Sequence, residues 1–147
     1  MTAYPLWPKM IKVAMKVLVI HGANVNLEAS FHEANERIRS FAQGRGLKVE
    51  IFHSNHEGEV VEAIHRGRHE VDAIIINPGD FFQSHPLRGA IEAVRGQVPI
   101  IEVRTGRMEG RGIPSLIGPV AMGVISGFGA ESYLLGLEAV INLLKGE

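Results

Sequence analysis

The sequence predicts a three-layer α/β sandwich: one parallel sheet of five strands, in the order 2-1-3-4-5, covered by helices on both faces. Three observations lead there. Short apolar runs alternate with amphipathic stretches along the whole chain. The runs at 17–20, after Lys16, and at 73–76 are continuously hydrophobic, as in strands covered on both sides. The connections are long enough for helical crossovers, which are right-handed almost without exception and set successive strands parallel.

Taken in order, Lys-Val-Leu-Val-Ile at 16–20 is the first strand, and it ends at His21-Gly22. Ser30 followed by Glu33 predicts a capping box, with Ala34, Ile38, Phe41 and Ala42 at helical spacing behind it and Gly44 and Gly46 as the stop. A second strand spans 47–52. A second helix over 58–69 carries Val60, Val61, Ile64 and His65. The third strand, 73–76, closes at Asn77-Pro78-Gly79. Pro86 opens a helix striped by Leu87, Ala90, Ile91 and Val94, which Gly96 stops. Residues 99–103 form the fourth strand, 104–114 a polar loop rich in glycine and arginine, 120–125 the fifth strand and 130–144 a closing amphipathic helix.

The chain of 147 residues suits one domain that buries about two-thirds of the surface of its unfolded form. We divide it into an extension at 1–14 and a single domain at 15–147. It has no cysteine, which excludes disulfides, thiolate metal sites and cysteine nucleophiles. A net charge of -1 gives no field that favours nucleic acid or a membrane surface. The first fourteen residues carry no signal-peptide pattern, and no stretch approaches the roughly 20 apolar residues of a spanning helix, so a cytoplasmic protein is expected. His53 with His56, and His65 with His69, lack a third ligand, so no metal site is expected. The turn Gly127-Phe128-Gly129 is not a dinucleotide fingerprint, and no cofactor is expected.

In open parallel sheets ligands sit beyond the carboxyl ends of the strands at the switch point, here between the first and third strands. The turns after Ile20, Ile76 and Val103 therefore meet at one cleft. Their residues are Val-Ile-His-Gly-Ala-Asn-Val-Asn-Leu at 19–27, Ile-Ile-Asn-Pro-Gly at 75–79 and Arg104-Thr105-Gly106-Arg107, with Ser-Asn-His-Glu-Gly-Glu at 54–59 nearby. Asn24, Asn26 and Asn77 are open to two readings, as turn residues or as ligand contacts. Arg104, Arg107 and Arg111 read either as solvated loop charges or as an oxyanion site.

These segments, with Gly-Val-Ile-Ser-Gly-Phe-Gly-Ala-Glu-Ser-Tyr-Leu-Leu at 123–135, resemble the type II 3-dehydroquinate dehydratase family over 16–144. The resemblance implies a flavodoxin-like subunit, assembly into trimers and dodecamers, and cofactor-free dehydration of 3-dehydroquinate in the shikimate pathway. It makes Asn24 the asparagine that orders water at the enolate and Asn77 a substrate-binding asparagine. It makes Glu102 the support of an acid histidine at position 83, and Arg111 a substrate clamp.

The departures fall on the chemistry. Where the family carries a lid with its catalytic tyrosine, only Leu27, Glu28 and Ala29 precede Ser30. Position 83 is glutamine, and the segment is one residue short, which makes His85 a candidate substitute. His-Leu-Ser-Asn becomes Arg104-Thr105-Gly106-Arg107, with Arg104, Thr105 and Gly106 left as candidate carboxylate-binding residues. Gly89 replaces an acidic residue that reaches a neighbouring subunit. Three functions follow as expectations. One is a dehydratase rescued by Tyr4 or His85. The second is a non-catalytic relative binding a small carboxylate, a cyclic hydroxy acid or a protein partner through an arginine-lined cleft. The third is other acid–base chemistry using His21, His85 and Glu102.

Overall fold

A computed structural model describes residues 15–107 and 112–146. Tyr4, Arg111 and the extension at 1–14 lie outside the described residues. Five strands, β1 (Lys16–Ala23), β2 (Lys48–His53), β3 (Ala73–Gly79), β4 (Ile100–Arg104) and β5 (Gly123–Ser126), form one parallel sheet in the order β2-β1-β3-β4-β5. Between and after them run α1 (Phe31–Gly44), α2 (Glu57–Glu70), α3 (His85–Val94) and α4 (Glu131–Lys145). This is the expected architecture and strand order.

Alternate strand residues feed two cores, because side chains point to opposite faces with period two. Leu18, Ile20, Ile74, Ile76 and Ile100 pack under α2 and α3 with Val60, Ile64, Leu87 and Ile91. Val17, Val19, Ile75, Ile101 and Val103 pack under α1 and α4 with Ala34, Ile38, Leu137 and Val140. The same parity carries on to the strand ends. His21 and Asn77 therefore belong to the α1/α4 side, and Glu102 and Arg104 to the α2/α3 side.

Three local expectations are corrected. β1 and β3 do not stop at Ile20 and Ile76, because their pairing continues through His21 with Asn77 and Ala23 with Gly79. The backbones come so close there that only glycine fits. A Cβ on Gly22 would lie 2.2 Å from the Pro78 carbonyl oxygen, and one on Gly79, at φ +58, 2.2 Å from that of Ala23. β5 starts at Gly123 rather than Val120, since Gly118–Val120 is a 3₁₀ turn containing Pro119. Ser30 precedes α1 without a side-chain cap. A 3₁₀ turn at Val25–Leu27 leads into the helix, and the Phe31 N–H is already bonded to the Glu28 carbonyl. The side-chain cap is instead at α3, where Ser84 Oγ accepts from the Leu87 N–H at 3.0 Å.

Candidate functional site

The ends of β1, β3 and β4 meet as the topology requires, and the floor beneath them is a buried chain of hydrogen bonds. His21 Nε2 lies 2.9 Å from Asn35 Oδ1, an oxygen that can only accept, so Nε2 carries the proton. His21 Nδ1 is then an acceptor, and Tyr133 Oη donates to it at 3.3 Å. Tyr133 in turn accepts from Asn77 Nδ2 at 2.8 Å, while Asn77 Oδ1 accepts from the Gly79 N–H at 3.0 Å. Every member has a partner and a defined direction.

Burial fixes the protonation of this floor. His21 is pushed down to about 4 by burial, with His53 adding to the effect and the Asn35 bond opposing it. The ring is neutral at neutral pH. Burial likewise pushes the Tyr133 phenol up; Asn77 and Arg104 counter this, and the charge on Glu28 reinforces it. Tyr133 is a retained proton donor to His21, at 1% exposure.

Asn24 stands at the rim with φ 66, the only non-glycine residue at positive φ among the described residues. Two bonds hold it: its N–H to Asn55 Oδ1 at 2.9 Å and its Nδ2 to Asp80 Oδ2 at 2.7 Å. Its side chain is exposed above the cleft, whereas that of Asn77 is turned inward into the turn and Tyr133.

On the β4 side the expected partner of Glu102 is not at position 83. Gln83 Nε2 donates to the Pro114 carbonyl at 3.1 Å. Ser115 Oγ lies 3.3 and 3.2 Å from the two carboxylate oxygens of Glu102, and Arg104 Nη1 lies 3.7 Å from one of them. His85 is exposed at the start of α3. Glu102 is 1% exposed, and burial raises its pKa against the pull of Arg104 and Ser115.

Arg104 is not a solvated loop charge, the first of its two readings. It is the last residue of β4, on the same face as Glu102. It is buried over the Phe82 ring, and its Nη1 donates to the Gly79 carbonyl at 3.1 Å. It ties β4 to the turn after β3. Arg107 and Gly106 are exposed beyond it, and Thr105 Oγ1 donates to Glu28 Oε1 at 2.9 Å.

Sequence reasoning missed Glu28, Asp80, Asn35 and Ser115. Glu28, Asp80 and Asn35 join the site through contacts across 77, 56 and 14 residues, which no local spacing reports. Ser115 carried one signal, a hydroxyl directly after Pro114, where it accepts the Ile117 N–H. Among the described residues no group of three or more His, Cys, Asp or Glu is placed to hold a metal, and no helix is long and apolar enough to cross a membrane.

Comparison with known proteins agrees with the fold and the strand-end motifs. The family model for class II dehydroquinase matches residues 15–141. A 3-dehydroquinate dehydratase of Caldicellulosiruptor bescii is 42% identical over 144 residues, covering 88% of this chain and 98% of the relative. One of Dictyoglomus turgidum is 43% identical over 140 residues, covering 86% and 95%. The 144-residue alignment takes in only 88% of this 147-residue chain, so the relative has residues with no counterpart here. Among solved structures, a type II dehydroquinase of Butyrivibrio crossotus superimposes with a TM-score of 0.82 at 27% identity, covering 87% of this chain and 98% of the other. A 3-dehydroquinate dehydratase-like protein of Bifidobacterium longum gives 0.74 at 27% identity, covering 90% and 99%. A match across most of the chain, at these identities and with the same strand order, means that this chain belongs to the class II dehydroquinase family.

Proposed function

We propose that this chain keeps the family's strand-end cleft as a binding site for a small carboxylate, and that it dehydrates 3-dehydroquinate far more slowly than a complete site would. The observation that carries this reading is the identity of the group beside Glu102. Eliminating water next to a carbonyl needs a base for the proton, a partner for the enolate oxygen and an acid for the leaving hydroxyl. Arg104 occupies the position beside Glu102, and a guanidinium keeps its proton throughout the accessible pH range. Tyr133, the one tyrosine among the described residues, is buried, and its proton is committed to His21. His21 is neutral and walled off by the Tyr133 and Phe31 rings.

The binding half of the reading rests on the polar groups at the end of β4. The Thr105 hydroxyl already donates to a carboxylate, and Gly106 and Arg107 are exposed next to it. The connection from Asn24 to α1 is short, so the cleft stays wet, and affinity falls nearer millimolar than micromolar, about -4 to -6 kcal/mol, weakened by salt.

Turnover is tested by following the ultraviolet absorbance of the conjugated enone product with 3-dehydroquinate. Loss of a general acid or base costs about 10²–10⁴-fold, so a rate reduced by at least that much is expected. An ordinary enzyme rate overturns the reading.

A further inference from the structure

We infer that the Glu28 carboxylate is a built-in occupant of the strand-end cleft: it sits on the Thr105 hydroxyl, and an external carboxylate must displace it to bind there. The inference rests on the proposed reading of the cleft as a carboxylate site and adds what controls access to it.

Glu28 belongs to the connection between β1 and α1, yet its side chain crosses to the end of β4, where Thr105 Oγ1 donates to its Oε1 at 2.9 Å. Nothing in the local backbone requires that crossing. The Glu28 N–H closes the 3₁₀ turn onto the Val25 carbonyl, and its own carbonyl accepts from Phe31. The residue is thus clamped on both sides at φ -68 and ψ 140, with its side chain left to reach the opposite wall. A group tethered this rigidly acts at high effective concentration, so a weak bond suffices to keep the seat filled.

The position is that of a ligand rather than of a surface ion pair. Residues 28 and 105 border the cleft from strands on either side of β3, and the Glu28 charge is near enough to the floor to act on Tyr133, as is the Arg104 guanidinium. The carboxylate therefore stands at the end of β4, on the hydroxyl that a small oxyanion entering between the ends of β1 and β4 would use. Thr105 has a single hydroxyl proton, which can serve either Glu28 or a ligand but not both.

Isothermal titration with quinate, at low and high ionic strength, tests the inference on the wild-type protein and on Glu28→Ala, Glu28→Gln, Thr105→Val and the Glu28→Ala/Thr105→Val double variant. Their folding is checked by urea midpoint. Glu28→Ala is expected to bind at least about tenfold tighter than wild type, with Glu28→Gln between them. The double variant should lose that gain. A wild-type protein that binds quinate while Glu28→Ala binds no tighter sinks the occupant and leaves the carboxylate site standing. If neither protein binds, both ideas fall. A gain that persists undiminished on the Thr105→Val background, or disappears at high salt, means a general charge effect rather than a shared seat, and also overturns the inference.

Discussion

Tyr133 donates its phenolic proton to Nδ1 of His21 at 3.3 Å, and the two rings meet edge to face with centroids 5.3 Å apart. α4 and β1 are thereby joined by a buried polar contact. The direction of the bond is set from the far side of the imidazole, where Asn35 Oδ1 can only accept.

The neutral state of His21 makes stability depend on pH. Its pKa falls from 6.5 to about 4 on folding, so the unfolded chain binds more protons between those values. The contribution is whole above pH 6.5 and is lost as pH falls toward 4, reaching about 3 kcal/mol at most. Urea midpoints for wild type should fall across that window. His21→Gln, which does not titrate, should give a flatter profile; two parallel profiles would show that His21 is not the group responsible.

Tyr133→Phe removes the hydroxyl and nothing else of the ring. It leaves His21 Nδ1 without its donor and Asn77 Nδ2 without its acceptor, both in buried positions, at a cost of about 1–3 kcal/mol. Urea unfolding at neutral pH measures it. A change within error of zero would mean that the buried network contributes nothing net.

The sheet was legible because strands covered on both faces leave continuous apolar runs, as at 17–20 and 73–76, and five strands joined by helical crossovers leave few topologies to choose among. Its ends were not. Residues 21–23 and 77–79 pair because each backbone presents itself to the other, and His21-Gly22 and Asn77-Pro78-Gly79 read locally as breaks. Glu102 and Arg104 are the instructive case. Period-two parity places both on one face of β4, so their pairing was available from the sequence once the strand was extended by a residue. Reading Arg104 as a loop charge hid that. The Glu28–Thr105 contact has no such handle, since it depends on where two connections end in space.

Ser30 and Ser84 separate a cap suggested by motif from one made by geometry. Ser84 accepts from the Leu87 N–H and donates to Glu57 at 2.6 Å, so Ser84→Ala should cost about 1–2 kcal/mol. Ser30 makes no side-chain cap bond, and Ser30→Ala should stay within about 0.5 kcal/mol of wild type. Denaturation midpoints of the two variants measured together check the contrast; equal losses would refute it.

The pairing of Arg104 with Glu102 predicts that truncating one partner is worse than replacing both. Arg104→Ala strands a carboxylate that is 1% exposed, with only Ser115 left of the two partners beside it, and opens the tie to the Gly79 carbonyl. Removing one member of a buried pair costs about 3–5 kcal/mol, whereas apolar replacement of both at similar volume is often near neutral. The double variant Glu102→Leu/Arg104→Met should therefore be more stable than Arg104→Ala alone. The pH response supplies a second readout. Burial raises the Glu102 pKa above its unfolded value, and loss of Arg104 removes the charge that pulls it down, so the folded variant binds the extra proton. Arg104→Ala should then regain stability as pH falls from neutral toward the ordinary carboxylate range, against the trend that His21 imposes on wild type. Urea midpoints across that range, for Arg104→Ala with and without Glu102→Leu, decide the matter. If acidification brings no relative gain in the single variant, Glu102 is not the stranded charge.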